Sequence, residues 1–190
     1  IMVLAAVGVF YASAIAWVQK DLKRLFAYSS IAHVGLITAG ILTVSEMGLQ
    51  GSMVQMMAHG INVVGLFYVC QILYRKFNSH DINAFGGLRL NAPLFAGLYL
   101  VIMLASVALP LTNAFPGEFM LLNSVYAVNP WICLFAGSGV ILGAVYMFTS
   151  YKKVMLGELN NKTNSFTEID SLDKWVLIPI VILIFVFGLY

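Results

Sequence analysis

The chain has 190 residues, of which 61% are hydrophobic and only 9% charged. A soluble domain carries about 25% charged residues, so a water-exposed globular fold is excluded and an integral membrane protein is expected. The net charge of +2 says little about partners, and no Lys/Arg-rich run interleaved with aromatics supports nucleic-acid binding.

In chain order the apolar pattern predicts an all-α, polytopic bundle of six transmembrane spans. Span one covers residues 1–18, with no charged leader and no small-residue cleavage motif. The chain reads as a piece of a longer protein, beginning within or near a membrane helix. A charged knot, Lys20, Asp21, Lys23 and Arg24, precedes span two, about 25–44. Span three covers about 51–74 and ends at Arg75 and Lys76. A polar connector over 75–92 holds His80, Asp81, Gly86, Gly87 and Arg89. Span five runs from about 131 to 151, a second polar loop covers 152–171, and span six reaches Tyr190 with Pro179 as a possible kink.

Span four is different. Its apolar run, 93–127, would be about 52 Å long as one helix, against a hydrocarbon core of about 30 Å. Pro110 and Pro116 each remove helix hydrogen bonds and push the preceding residue out of the α region, so the span is expected to break near these two prolines. Glu118 follows the break, and a carboxylate at that depth is costly enough to be a functional hypothesis by default.

All ten Lys and Arg residues (20, 23, 24, 75, 76, 89, 152, 153, 162 and 174) fall in the connectors after spans one, three and five. The positive-inside rule then places those connectors on the cytoplasmic side of the cell's inner membrane. The whole chain is expected to form one transmembrane domain.

Only His33, His59 and Glu118 remain as ionisable groups at depth. Ser29 and His33 are four residues apart and share a helix face. Ser52, Gln55, His59 and Asn62 follow at steps of three, four and three, one polar stripe on an apolar helix. A single polar residue in a membrane helix often only bonds its neighbour helix, for about 0.6 kcal/mol, and His33 has that bland reading too. Four in register point to a hydrated path, with Gln and Asn ordering water and His relaying protons. The helix break adds irregular backbone, which survives in a membrane only where protein or water covers it.

Cys70 and Cys133 read as small buried hydrophobes and the methionines as apolar filler. Gly35, Gly40, Gly60, Gly65, Gly137, Gly139 and Gly143 are expected to permit close helix packing. No phosphate loop, dinucleotide-binding glycine motif, iron–sulfur cysteine pattern or nucleophile elbow is present, so no cofactor and no metal is expected in this chain.

Several motifs together resemble one family. DLKRLFAYSSIAHVG (21–35) resembles the DIKRLIAYSSISHMG segment of the antiporter-like membrane subunits of respiratory complex I. VQMMAHG (54–60), Gly86-Gly87-Leu88 and the 110–119 block follow in the family's order. The resemblance covers about 19–157. Within the family, a Glu in the Gly117-Glu118-Phe119 setting marks one branch, where others carry Lys. The chain departs from the pattern GxPGTxxFVGEF by lacking the Gly before Pro110 and by placing Pro116 at a usually small or β-branched position. The resemblance implies redox-driven proton pumping beside other membrane-arm subunits in the lipid bilayer, with quinone reduction by NADH occurring elsewhere in the complex. It implies a proton relay through His33 and His59 to Glu118. Lys23 matches a family lysine, with surface charge as its first role and proton entry as its second. A multisubunit Na⁺/H⁺ antiporter or membrane-bound hydrogenase subunit uses the same fold, and a purely structural helix bundle is the contrasting reading.

Overall fold

A computed structural model describes residues 1–159 and 163–189. Asn160, Asn161, Lys162 and the predicted end of the last span at Tyr190 lie outside these residues. Among the described residues the fold is helical without strands: α1 (Met2–Trp17), α2 (Leu22–Ile41), α3 (Glu46–Phe77), the short α4 (Leu88–Asn91), α5 (Pro93–Ser106), α6 (Ala114–Val128), α7 (Pro130–Tyr151) and α8 (Ser171–Leu189). A 3₁₀ turn (Ile82–Ala84) precedes α4, and a π-helical turn (Lys152–Leu156) extends α7. Three helices are long and apolar enough to cross a membrane: Glu46–Phe77, Pro130–Leu156 and Ser171–Leu189. Met2–Trp17 and Pro93–Ser106 are apolar but shorter.

Local chemistry sets the helix ends. Asp21 caps α2 by accepting the Arg24 amide at 2.8 Å, and Ser45 caps α3 by accepting the Gly48 amide at 3.0 Å. Asn129 caps α7, with Pro130 at the first helical position where no amide is needed. Asn78 closes α3 in the left-handed conformation. At 32 residues α3 is about 48 Å long, and it extends beyond its expected bounds at both ends. The 75–92 connector is accordingly less irregular than its polarity suggests.

α1 packs against α2 and α7, α3 against α2 and α6, and α5 and α8 against the far half of α3. Two apolar clusters result. The larger one joins Leu22, Phe26, Ile72, Leu88, Tyr99 and Leu177, and the smaller joins Val9, Ala32, Leu36, Leu121 and Ala136. The glycines divide by surroundings. A Cβ on Gly139 would lie 2.5 Å from Val9, and one on Gly40 2.1 Å from Leu121, so these glycines are close helix contacts. Gly60 and Gly137 have nothing within 4 Å of such an atom, so the packing role expected of them does not hold here.

The basic connectors meet at one end of the bundle. The Leu22 amide donates to the His80 carbonyl at 2.9 Å and the Ile82 amide to the Lys20 carbonyl at 2.8 Å. Glu168 accepts the Leu94 and Phe95 amides at the start of α5. Asp173, buried in the first turn of α8, accepts from Tyr68 at 2.8 Å and from Arg75. Gly87 takes φ of 64°, and a Cβ there would lie 2.8 Å from the Gly157 carbonyl and from the Leu159 amide nitrogen.

That junction is specific to glycine. Gly87→Ala adds a left-handed cost of about 1–2 kcal/mol to a backbone clash. Thermal unfolding of the purified full-length protein is expected to shift downward accordingly, and an unchanged midpoint would contradict the tight junction.

Candidate proton-transfer site

The site begins at the interruption between α5 and α6. α5 ends at Ser106, and 107–113 turn irregularly before α6 starts at Ala114. Ala108 and Leu111 take positive φ, 52° and 76°, values that side chains with a Cβ rarely adopt. Pro110 sits between them. Pro116 has a different part from the one expected: it is the third residue of α6, where an amide has no intrahelical acceptor to lose. The interruption is therefore made by Pro110 with two left-handed neighbours, and Pro116 belongs to the start of the next helix. The C-terminal part of α8 lies on this segment, since a Cβ on Gly188 would be 2.4 Å from the Leu111 carbonyl oxygen.

One turn into α6, Glu118 is 3% exposed, and neither carboxylate oxygen has a hydrogen-bond partner among the described residues. It lines a cavity of about 20 Å³ together with His33, Ser13, Ser106 and Tyr146, with Val9, Leu36 and Val140 among the apolar walls. That volume holds about one water molecule.

His33 lines this cavity, and His59 stands behind it. The rings of His33 and His59 have centroids 5.2 Å apart, and the Ser30 hydroxyl lies 2.9 Å from Nε2 of His59. Ser29, on the His33 face, accepts from the Tyr146 hydroxyl at 2.9 Å, tying α2 to α7 across the site.

The α3 stripe is used unevenly. Ser52 bonds the Gly48 and Ile37 carbonyls at 2.7 and 3.2 Å, a structural role. Gln55 and Asn62 are buried, and Oε1 of Gln55 and Oδ1 of Asn62 find no donor among the described residues. Gln55 packs on Gly117, where a Cβ would come within 2.7 Å of its Oε1. Lys23 is exposed in the first turn of α2, about 15 Å along the helix from His33, and outside the site.

Of the predicted residues, then, His33, His59, Glu118 and Ser29 are brought together, Gln55 flanks Glu118 through Gly117, and Lys23 stays apart. Ser13, Ser30, Ser106 and Tyr146 complete the site and were not singled out by sequence. Ser30 is adjacent to a predicted residue, but nothing in one sequence marks Tyr146 in its apolar helix. Both cysteines are free thiols, and among the described residues no group of His, Cys, Asp and Glu is arranged to hold a metal.

Residues 1–143 match the family described as NADH:quinone oxidoreductase/Mrp antiporter, transmembrane. The chain belongs to that family. It is a multi-pass membrane protein. NADH-quinone oxidoreductase subunit M of Rickettsia prowazekii is 40% identical over the whole chain, which covers 39% of that relative. Subunit M of Rhodobacter capsulatus is 36% identical over the whole chain, covering 37% of it. The chain thus spans about two fifths of the length of these relatives. In the structure of respiratory complex I from Thermus thermophilus with bound NADH, one chain superposes with a TM-score of 0.94 at 29% identity, over 98% of this chain and 39% of that one. A chain of the membrane-bound sulfane sulfur reductase, an archaeal respiratory complex, superposes at 0.93 with 21% identity over 99% of this chain and 31% of that one, a likeness of fold alone.

The Ser29–Tyr146 bond is testable directly. Tyr146→Phe and Ser29→Ala are each expected to lower stability by about 1 kcal/mol, and the double variant by less than their sum. Thermal unfolding of the four proteins measures the coupling, and strict additivity would show that the bond contributes nothing.

Proposed function

We propose that this chain is part of a proton-translocating subunit of an NADH:quinone oxidoreductase, of the M type, embedded among other antiporter-like subunits of the membrane arm. The observation that carries the reading is the cavity shared by His33 and Glu118, with His59 one ring contact behind. A water there lies within reach of both groups. Protons pass from His59 to His33, with the Ser30 hydroxyl holding the His59 ring, then through that water to the Glu118 carboxylate. A chain of hydrogen-bonding groups in an apolar setting is what proton transfer across a membrane requires. Gln55 and Asn62 act as water-ordering amides.

In this reading the chain crosses the membrane six times, and α5 and α6 together make the fourth, broken crossing. The basic connectors face the cytoplasm, as the positive-inside rule asks. Lys23 is a surface charge at that face. The redox chemistry occurs in other subunits, and this chain carries no cofactor. The Glu at 118, in place of the Lys of sister branches, favours the M type over an Mrp-type antiporter subunit.

Glu118→Gln keeps the shape of the side chain and removes the exchangeable acid. In assembled complexes in membrane vesicles, NADH-driven proton uptake is expected to slow by roughly 10²-fold at this step, the usual scale for losing a positioned proton-transfer group. His59→Ala is expected to act in the same direction. Wild-type pumping in both variants, with the complex assembled, would leave only a structural role for these residues.

A further inference from the structure

Away from the relay, the end of the bundle where the basic connectors meet carries an open groove between α5 and α7. Its volume is about 460 Å³, in the range of sites that take small-molecule ligands. Pro93, Ala96, Gly97 and Leu100 form one wall, at steps of three, one and three, a single face of α5. Phe148 and Tyr151 of α7 form the other. Arg89, in the short α4, is the one charged residue among the described residues that line it.

Two features shape the groove. Gly97 has no side chain, and a Cβ there would meet nothing within 4 Å, so this wall is open where Gly40 and Gly139 are packed. The Tyr151 hydroxyl donates to the Ala96 carbonyl at 3.1 Å, which ties α7 to α5 behind the open space. Charge gathers at the mouth. α4 packs on the π-helical turn that holds Lys152 and Lys153, and Arg89, Lys152 and Lys153 are all exposed. Among the described residues the one ion pair joins Arg75 to Asp173, so none of these three cations has a carboxylate partner there. Glu168 is directed at backbone instead, accepting the Leu94, Phe95 and Ile169 amides.

We infer that this groove binds one anionic phospholipid, with its phosphate at Arg89 and an acyl chain lying along Gly97, Leu100 and Phe148. Arginine offers phosphate a fixed fork of donors that grips two oxygens at once, and Lys152 and Lys153 add charge beside it. An acyl chain needs a slot without free polar groups. Below the mouth the walls are apolar except for Tyr151, whose hydroxyl is already bonded to Ala96. From Pro93 to Leu100 α5 rises about 10 Å, against about 15 Å for the hydrocarbon depth of one leaflet. Basic pockets between membrane helices on the cytoplasmic side bind acidic headgroups, and the sidedness proposed above puts the mouth at that face. A soluble anion would use Arg89 and leave the slot empty. A helix from another subunit would fill the slot and leave the three cations unmatched. The site is remote from Glu118 in the fold, and its occupancy is measurable whatever the fate of the relay.

The test uses the full-length protein in its assembled complex, reconstituted in phosphatidylcholine vesicles that carry a phosphatidylglycerol with a photoreactive diazirine on one acyl chain. Cross-linked peptides are read by mass spectrometry. Labelling is expected at Gly97, Leu100 or Phe148, and unlabelled phosphatidylglycerol is expected to displace it where added phosphatidylcholine and inorganic phosphate do not. Arg89→Gln is expected to lower the labelling about fivefold, the scale of one basic contact at an anionic surface. Gly97→Leu puts a side chain into the open space and is expected to abolish labelling in a complex that still assembles, so the proposal stays testable if Arg89→Gln does not fold. Equal labelling by the matching phosphatidylcholine probe would overturn the recognition of charge, and displacement by inorganic phosphate would make this a soluble-anion site. Absence of labelling on α5 and α7 in the assembled complex would mean that protein fills the groove, and would overturn the proposal. Undiminished labelling in both variants would do the same.

Discussion

The structure turns on a buried carboxylate that finds no hydrogen-bond partner among the described residues. Glu118 sits where helix geometry has been suspended one turn earlier, and neither of its oxygens has a donor among the described residues. A stability-driven sequence would replace such a group by an apolar one, since unpaired buried polar atoms are destabilising. Much of the surrounding packing makes sense as a way to hold it. Gly117 brings α6 onto α3, Gly40 and Gly51 admit Leu121 and Met120 close to α2 and α3, and Gly139 brings α7 onto α1 at Val9. These close contacts fix the backbones on three sides of Glu118. The gap between them is lined by polar side chains, Ser13, His33, Ser106 and Tyr146, together with apolar ones such as Val9, Leu36 and Val140.

Polar groups at depth concentrate where six helices meet. α1 contributes Ser13, α2 His33 and Ser29, α3 His59, α5 Ser106, α6 Glu118 and α7 Tyr146. Ser30 and His59, and Ser29 and Tyr146, form two cross-helix hydrogen bonds that hold this layer in register. The apolar clusters lie outside it, the larger one reaching the basic end of the bundle through Leu22, Ile72 and Leu88. There the first two basic connectors are bonded to each other through backbone amides and carbonyls, and Glu168 of the third caps α5. The proposed relay calls for no large motion: a ring flip, a hydroxyl rotation and a change in one water would carry a proton between groups already in or near contact.

Much of this was legible in the sequence, for identifiable reasons. A run too long for one bilayer crossing, with Pro110 inside it, announces an interruption. A carboxylate among apolar residues announces a site. The i, i+4 spacing of Ser29 and His33 and the stripe on α3 announce which faces turn inward, because helical periodicity is local. What was not legible depends on tertiary neighbours. Pro116 was expected to share in the interruption, yet a proline in the first turn of a helix is compatible with it, and only the position of the first helical residue decides. The left-handed turns at Ala108 and Leu111 leave no compositional trace, since neither is Gly or Asn. Tyr146 and Ser13 enter the site because α7 and α1 happen to face α2, and Gly60 and Gly137 look outward although their composition matches that of the packing glycines. Asn113 was visible as part of the broken block, but that its buried Oδ1 has no donor among the described residues emerges only when α3 is placed beside it.

The central claim is that His33 and Glu118 share water in one cavity. The most direct measurement is an experimental structure of the full-length protein in its complex, at a resolution where ordered water is seen. One water is expected in the cavity bounded by His33, Ser106, Tyr146 and Glu118, within hydrogen-bond distance of both the imidazole and the carboxylate. A cavity found dry, or closed by apolar side chains so that His33 and Glu118 share no water, would contradict it.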